Sequence, residues 1–190
     1  MKIKYLLYFG ILVMLGCGSS DTVTKTSKRT TYYKCLDTIE AKAKMKFYSM
    51  TIPDSWCTYV GSHDVVSHAP NNLKDLRENE FKNRIYVMSP NSESFKSKNI
   101  EEALERHFLS VKNASFLTPK VRSQVHPIYG KYYIVTSKSI TDGFKVIRLS
   151  TLFNHNNKDY LIYYSVLEKD VDTYIEDAMS IIETFKIIEQ

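Results

Sequence analysis

Glycine is scarce in this chain of 190 residues, with six, and proline is scarcer, with five. A loop-rich fold does not fit so few turn-formers. No glycine-rich loop cradles a phosphate, no glycine-flanked serine forms a nucleophile elbow, and no helix carries zinc-protease histidines. The pair Glu101-Glu102 falls at a helix start, where the helix dipole accounts for it. No enzyme activity is expected on these grounds. Long hydrophobic runs are missing too. The longest, Tyr5 to Leu15, has about 11 residues, whereas a bilayer-spanning helix needs about 20. What is present is ordinary for a globular protein: 43% hydrophobic and 25% charged residues exclude collagen-like, disordered and multi-span membrane classes. Aromatic content is high, with 14 Tyr and 9 Phe but a single Trp.

The N-terminus has a basic start, Met1-Lys2-Ile3-Lys4, then the short apolar run, then Gly16-Cys17. That layout resembles a secretory signal. Met14-Leu15-Gly16-Cys17 resembles the bacterial lipobox, with Met14 where that motif prefers Leu. The resemblance implies that residues 1–16 are a signal peptide and that Cys17 becomes the acylated N-terminus, carrying fatty chains such as palmitate. One acyl chain holds only marginally, so stable anchoring takes two or three. The expected place is the bacterial cell envelope, lipid-anchored, with the domain outside the cytoplasm. Removing residues 1–16 deletes Lys2 and Lys4 and lowers the formal net charge from +5 to +3. That is too mild to imply a polyanion, and no recognition motif is present, so no nucleic-acid partner is expected. The expected partners are the membrane, through the lipid, and an unidentified envelope protein.

Lipidation uses one of three cysteines and leaves Cys35 and Cys57. An even pair in an oxidising compartment predicts a disulfide, with two free thiols as the alternative. The bridge would close a loop of about 22 residues, worth roughly 3 kcal/mol on the chain-entropy model.

Residues 18–31 hold one apolar residue in fourteen and read as a flexible tether behind the lipidated Cys17. A single α/β domain is expected over residues 32–190. Tyr32, Tyr33, Leu36 and Ile39 suggest a short helix. Residues 47–52 alternate as a strand that stops at Pro53, and Pro53-Asp54-Ser55-Trp56 is a turn. Residues 58–60 and 64–67 read as one strand broken at Gly61, and residues 83–88 as the next. Ile100, Leu104, Phe108 and Val111 recur at helical spacing behind Asn99, a good N-cap. Residues 116–125, 131–138, 144–153 and 160–167 read as a meander with turns at Tyr129-Gly130, Asp142-Gly143 and residues 154–157. A last helix follows, with Thr173 and Glu176 as a capping-box pair. In Tyr132-Tyr133-Ile134-Val135 and in residues 160–167 both alternate faces are apolar. A sheet with one wet face would alternate cleanly. The expected fold is therefore α+β, an antiparallel sheet of about six to seven strands sandwiched between helices.

This order of elements, with residues 47–52 running into Pro53 and Trp56 and with Thr184-Phe185 near the end, resembles the PsbP-like family over residues 44–188. Ser55 stands where that family usually has Gly before the Trp. The family includes a photosystem accessory protein, a nuclear-transport cofactor and many bacterial lipoproteins. It has no shared catalytic constellation, and its fold implies no activity by itself.

Trp56, Tyr59, His63 and His68 lie near the turn and second strand as a possible binding surface, with Trp56 plugging the core end as the alternative. His107 reads as a helix-surface residue. A rival function is an envelope enzyme or metal-binding protein using His63, Asp64 and His68. However, metal needs three or four converging ligands, and five residues apart on a strand these histidines point to opposite faces. No metal or cofactor is expected. A pocket for a small apolar ligand is a third possibility.

Overall fold

Residues 34–61, 65–71, 83–88, 95–141 and 143–188 are described by a computed structural model of the chain. The signal segment, Cys17 and the tether of residues 18–31 lie outside the described residues.

Asp37 opens the first helix, α1 (Thr38–Lys44), by accepting the amides of Ile39 and Glu40, while Glu40 reaches back to the Asp37 amide. This capping box fixes the phase of α1. Ala41 and Met45 turn inward and Ile39 is left 81% exposed, which corrects the expected stripe through Ile39. Two residues, β1 (Tyr48–Ser49), then pair with β9 (Lys186–Ile187) as a separate ribbon that ties the two ends of the domain together.

The main sheet has seven antiparallel strands. They are β2 (Trp56–Val60), β3 (Val66–Pro70), β4 (Arg84–Met88), β5 (Lys120–His126), β6 (Gly130–Thr141), β7 (Phe144–His155) and β8 (Lys158–Leu167). Their lateral order is β2-β3-β4-β8-β7-β6-β5. Residues 58–60 and 64–67, expected as one strand broken at Gly61, instead contribute to two antiparallel strands, β2 and β3, with the Gly61 amide bonded to the Val65 carbonyl at 2.8 Å. The register sets Thr58 opposite His68. The meander turns use left-handed backbone where expected: Gly130 at φ 71°, Gly143 at φ 80°, and Asn156 and Asn157 at φ 53° and 57°. Two consecutive positive φ values suit the twist of a two-residue hairpin, and Asn tolerates them.

Both sheet faces are covered. On one face α1 and α3 (Val171–Glu183) pack over Ile85, Val87, Ile134, Ile162, Tyr164 and Val166. On the other, α2 (Ile100–Ala114) seats Ala103 against Leu152 and Leu161. β8 therefore sends Tyr160, Ile162, Tyr164 and Val166 one way and Leu161 and Tyr163 the other, the two-sided pattern seen in the sequence. Asn99 caps α2 by accepting the Glu102 amide at 2.9 Å. The expected Thr173–Glu176 box does not form. A 3₁₀ turn (Glu168–Asp170) runs directly into α3, so Thr173 already lies inside the helix, which starts without a side-chain cap. Among the described residues no helix is long and apolar enough to cross a membrane.

Cys35 and Cys57 are joined by a disulfide with Cα atoms 5.4 Å apart. The Leu36 amide also donates to the Thr58 carbonyl at 2.8 Å. Together these fasten the segment ahead of α1 to the edge strand β2.

Candidate functional site

The α2 side of the sheet is not uniformly apolar. The first half of α2 sits tightly on Leu152 and Leu161. Its second half presents Ser110, Val111, Ala114 and then Ser115, and a cavity of about 210 Å³ opens between it and the sheet. Strand register decides what lines the floor. Arg84 on β4 and Arg148 on β7 both pair with Ser165 on β8, and Arg148 in turn pairs with Ser137 on β6. Partners across a sheet share a face, and strands lie about 4.8 Å apart, so the two arginines flank one serine with Cα atoms about 10 Å apart. One step along, Tyr86, Tyr163 and Ser150 form a second row. Ser137, Ser150 and Ser165 are all buried.

The electrostatics of this chamber are one-sided. Two guanidiniums line it and, among the described residues, no Asp or Glu does. The Arg84 guanidinium carbon lies 4.7 Å from the Tyr86 ring centre, and the Tyr86 and Tyr163 rings stack at 5.0 Å. The Nε of Arg84 is buried with no hydrogen-bond partner among the described residues. Arg148 donates to Thr141 Oγ1 at 3.3 Å and has further contacts. Burial holds the Tyr163 hydroxyl well above its ordinary pKa, against the opposing pull of Arg148. His107 of α2 meets Tyr163 edge-on at 5.9 Å. It is 9% exposed, which corrects its expected place on the helix surface. Burial pushes its pKa down to about 4, so the ring is neutral at pH 7. Hydroxyls and two fixed cations lining the chamber can bind and orient an anion.

The residues singled out in the sequence lie elsewhere. Cys17, His63 and Asp64 are outside the described residues. Trp56 and Tyr59 are 4% and 3% exposed and His68 is fully buried, so none of the three offers a surface to a partner. They do not even share a face. Trp56 and His68 belong to the α3 side, and Tyr59, one residue out of phase with Thr58, turns the other way. Trp56 Nε1 reaches Asp177 of α3 at 3.4 Å and plugs the core. His68 has Thr58 Oγ1 at 2.9 Å from Nδ1 and Tyr48 Oη at 3.4 Å from Nε2. Both ring nitrogens are thus engaged, and burial lowers the pKa to about 4. A metal could take this ring only by displacing a hydroxyl. Among the described residues no group of three or more His, Cys, Asp or Glu could hold a metal ion.

Arg84, Arg148 and the serines were not singled out in the sequence. A signal existed. Ser165 interrupts the apolar run of β8, and Arg84-Tyr86 and Arg148-Ser150 repeat at the spacing of one strand face. Only the lateral register brings these three strands together.

No protein-family model matches this chain, and no curated protein does. Among solved structures the chain is similar to LpqN of Mycobacterium tuberculosis, described as involved in cell envelope biogenesis, with 10% identity and a TM-score of 0.48 over 75% of this chain and 83% of that one. It is also similar to the cyanobacterial PsbP (CyanoP) of Synechocystis sp. PCC 6803, with 14% identity and a TM-score of 0.50 over 83% of this chain and 93% of that one. The second likeness is one of fold, and the domain has the PsbP-like α+β fold.

Proposed function

We propose that this PsbP-like domain belongs to a bacterial envelope lipoprotein, held at a membrane face through Cys17 and working there by binding another envelope component, without catalysis. The observation that carries the reading is the Cys35–Cys57 disulfide. Disulfides persist in oxidising compartments, which suits an exported chain. The bridge also uses two of the three cysteines and leaves only Cys17, the one that follows the apolar run and a small residue. The segment between them, residues 18–31, is almost entirely polar, with one apolar residue in fourteen. A domain so tied can meet partners beside the bilayer. A chamber lined by two guanidiniums and several hydroxyls suits the binding of another molecule.

Cys17→Ser tests the reading. Two or three acyl chains hold a protein at a bilayer stably, and a serine hydroxyl receives none by this route. The wild type is expected in the membrane fraction and the variant in the soluble fraction, with its fold unchanged. Equal membrane retention of both would refute it.

A further inference from the structure

The cavity beneath the second half of α2 has a chemistry of its own, and anchoring does not explain it. Three observations converge. Arg84 and Arg148 stand on either side of Ser165, on strands whose register is fixed. The Arg84 Nε is buried without a partner among the described residues, although a buried donor left unpaired is costly and rare in folded proteins. The space above them, about 210 Å³, is lined by serine hydroxyls and by Tyr163, Val111 and Ala114. Drug-sized ligands occupy about 300–1,000 Å³, so the occupant must be smaller.

We propose that this cavity is a binding site for a small organic acid. Its carboxylate or phosphate oxygens are held between the guanidiniums of Arg84 and Arg148, with Ser165 beneath, and its body lies along Tyr163, Val111 and Ala114. The planar fork of Arg matches two oxygens of one acid group, and charge-assisted bonds of this kind are the strong ones. An anion there also relieves the repulsion of two half-buried cations set about 10 Å apart. The short side chains at Ser110, Ala114 and Ser115 are what leave room for the body. The site stands independently of Cys17 and of any membrane.

Calorimetric titration of the purified full chain tests this with three probes of similar size: benzoate, phenyl phosphate and benzylamine. At least one of the two acids is expected to bind, and benzylamine is not. Which acid binds better separates a carboxylate site from a phosphate site. Arg84→Met and Arg148→Met are each expected to weaken the acid by about thirtyfold or more, as loss of a buried charged partner does. Lys145→Met, at an exposed lysine, leaves affinity unchanged. Ala114→Phe fills the chamber while keeping both cations, and it abolishes binding even if an arginine variant fails to fold. The inference is overturned if neither acid binds, if benzylamine binds as well as the acids do, or if affinity survives Ala114→Phe or both arginine substitutions.

Discussion

Replacing Phe185 with alanine is expected to cost the domain about 3–5 kcal/mol, the range for a buried phenyl ring cut back to a methyl group. Phe185 is 1% exposed and follows α3 where the chain enters β9. Its ring stacks on Phe153 of β7 at 5.4 Å and on Tyr48 of β1 at 6.1 Å, and it meets Tyr160 and Tyr129 at 6.2 and 6.3 Å. One side chain thus joins the main sheet, the β1–β9 ribbon and the end of α3. Losing it removes the transfer free energy of the ring. It also leaves a cavity that four surrounding rings cannot close without leaving their own contacts. The melting temperature should fall by about 10 °C for a domain of this size. Leu117→Ala, at a side chain 55% exposed, should change it little. Differential scanning calorimetry of the two variants checks the contrast, and equal melting temperatures would contradict the packing described.

The second large effect is acid destabilisation. His68 and His107 are both held near pKa 4 by burial, against an ordinary value of 6.5. The unfolded chain takes up these protons as pH falls through about 6.5, while the folded chain resists until about 4. The unfolded state therefore binds more protons throughout that window, so stability is complete above it and declines as pH falls. Each histidine contributes on the order of 3 kcal/mol across the whole window. The physical source differs between them. A proton on His68 turns both ring nitrogens into donors between Thr58 and Tyr48, in a core that solvates no charge. A proton on His107 places a cation in a buried position against the Tyr163 ring, where burial disfavours charge. Melting temperature should drop steadily from pH 7 to pH 5. His107→Leu should flatten part of the slope, because it removes one titrating ring from a site where Nε2 has no partner among the described residues. A melting temperature that is flat or rises toward pH 5 would contradict the buried neutral rings.

The parts of this fold that can be read from the chain are those governed by local rules. β6, β7 and β8 announce themselves through apolar residues on both alternate faces, and their turns through glycine and Asn156-Asn157. α2 follows from its stripe and its Asn99 cap. Where two local signals compete, the chain alone does not choose between them. Gly61 can break a strand or begin a hairpin, and only the pairing of Trp56 with Pro70 decides between them. Ile39 and Ala41 are both candidates for the inner face of α1, and the Asp37 cap chooses. The burial of the histidines is a tertiary property that no local pattern announces. His68 looks like any edge residue until β3 is seen between β2 and β4. The cavity is the extreme case. Its two arginines are 64 positions apart and meet only because β8 separates β4 from β7 in the sheet.

The disulfide fastens Cys35 to Cys57 on β2 and leaves Cys17 as the single remaining cysteine. The most direct measurement is the intact mass of the mature chain extracted from native membranes. A product that begins at Cys17 and is heavier by two or three fatty acyl groups is the predicted result. A chain that starts elsewhere, or that carries an unmodified Cys17, would contradict the account.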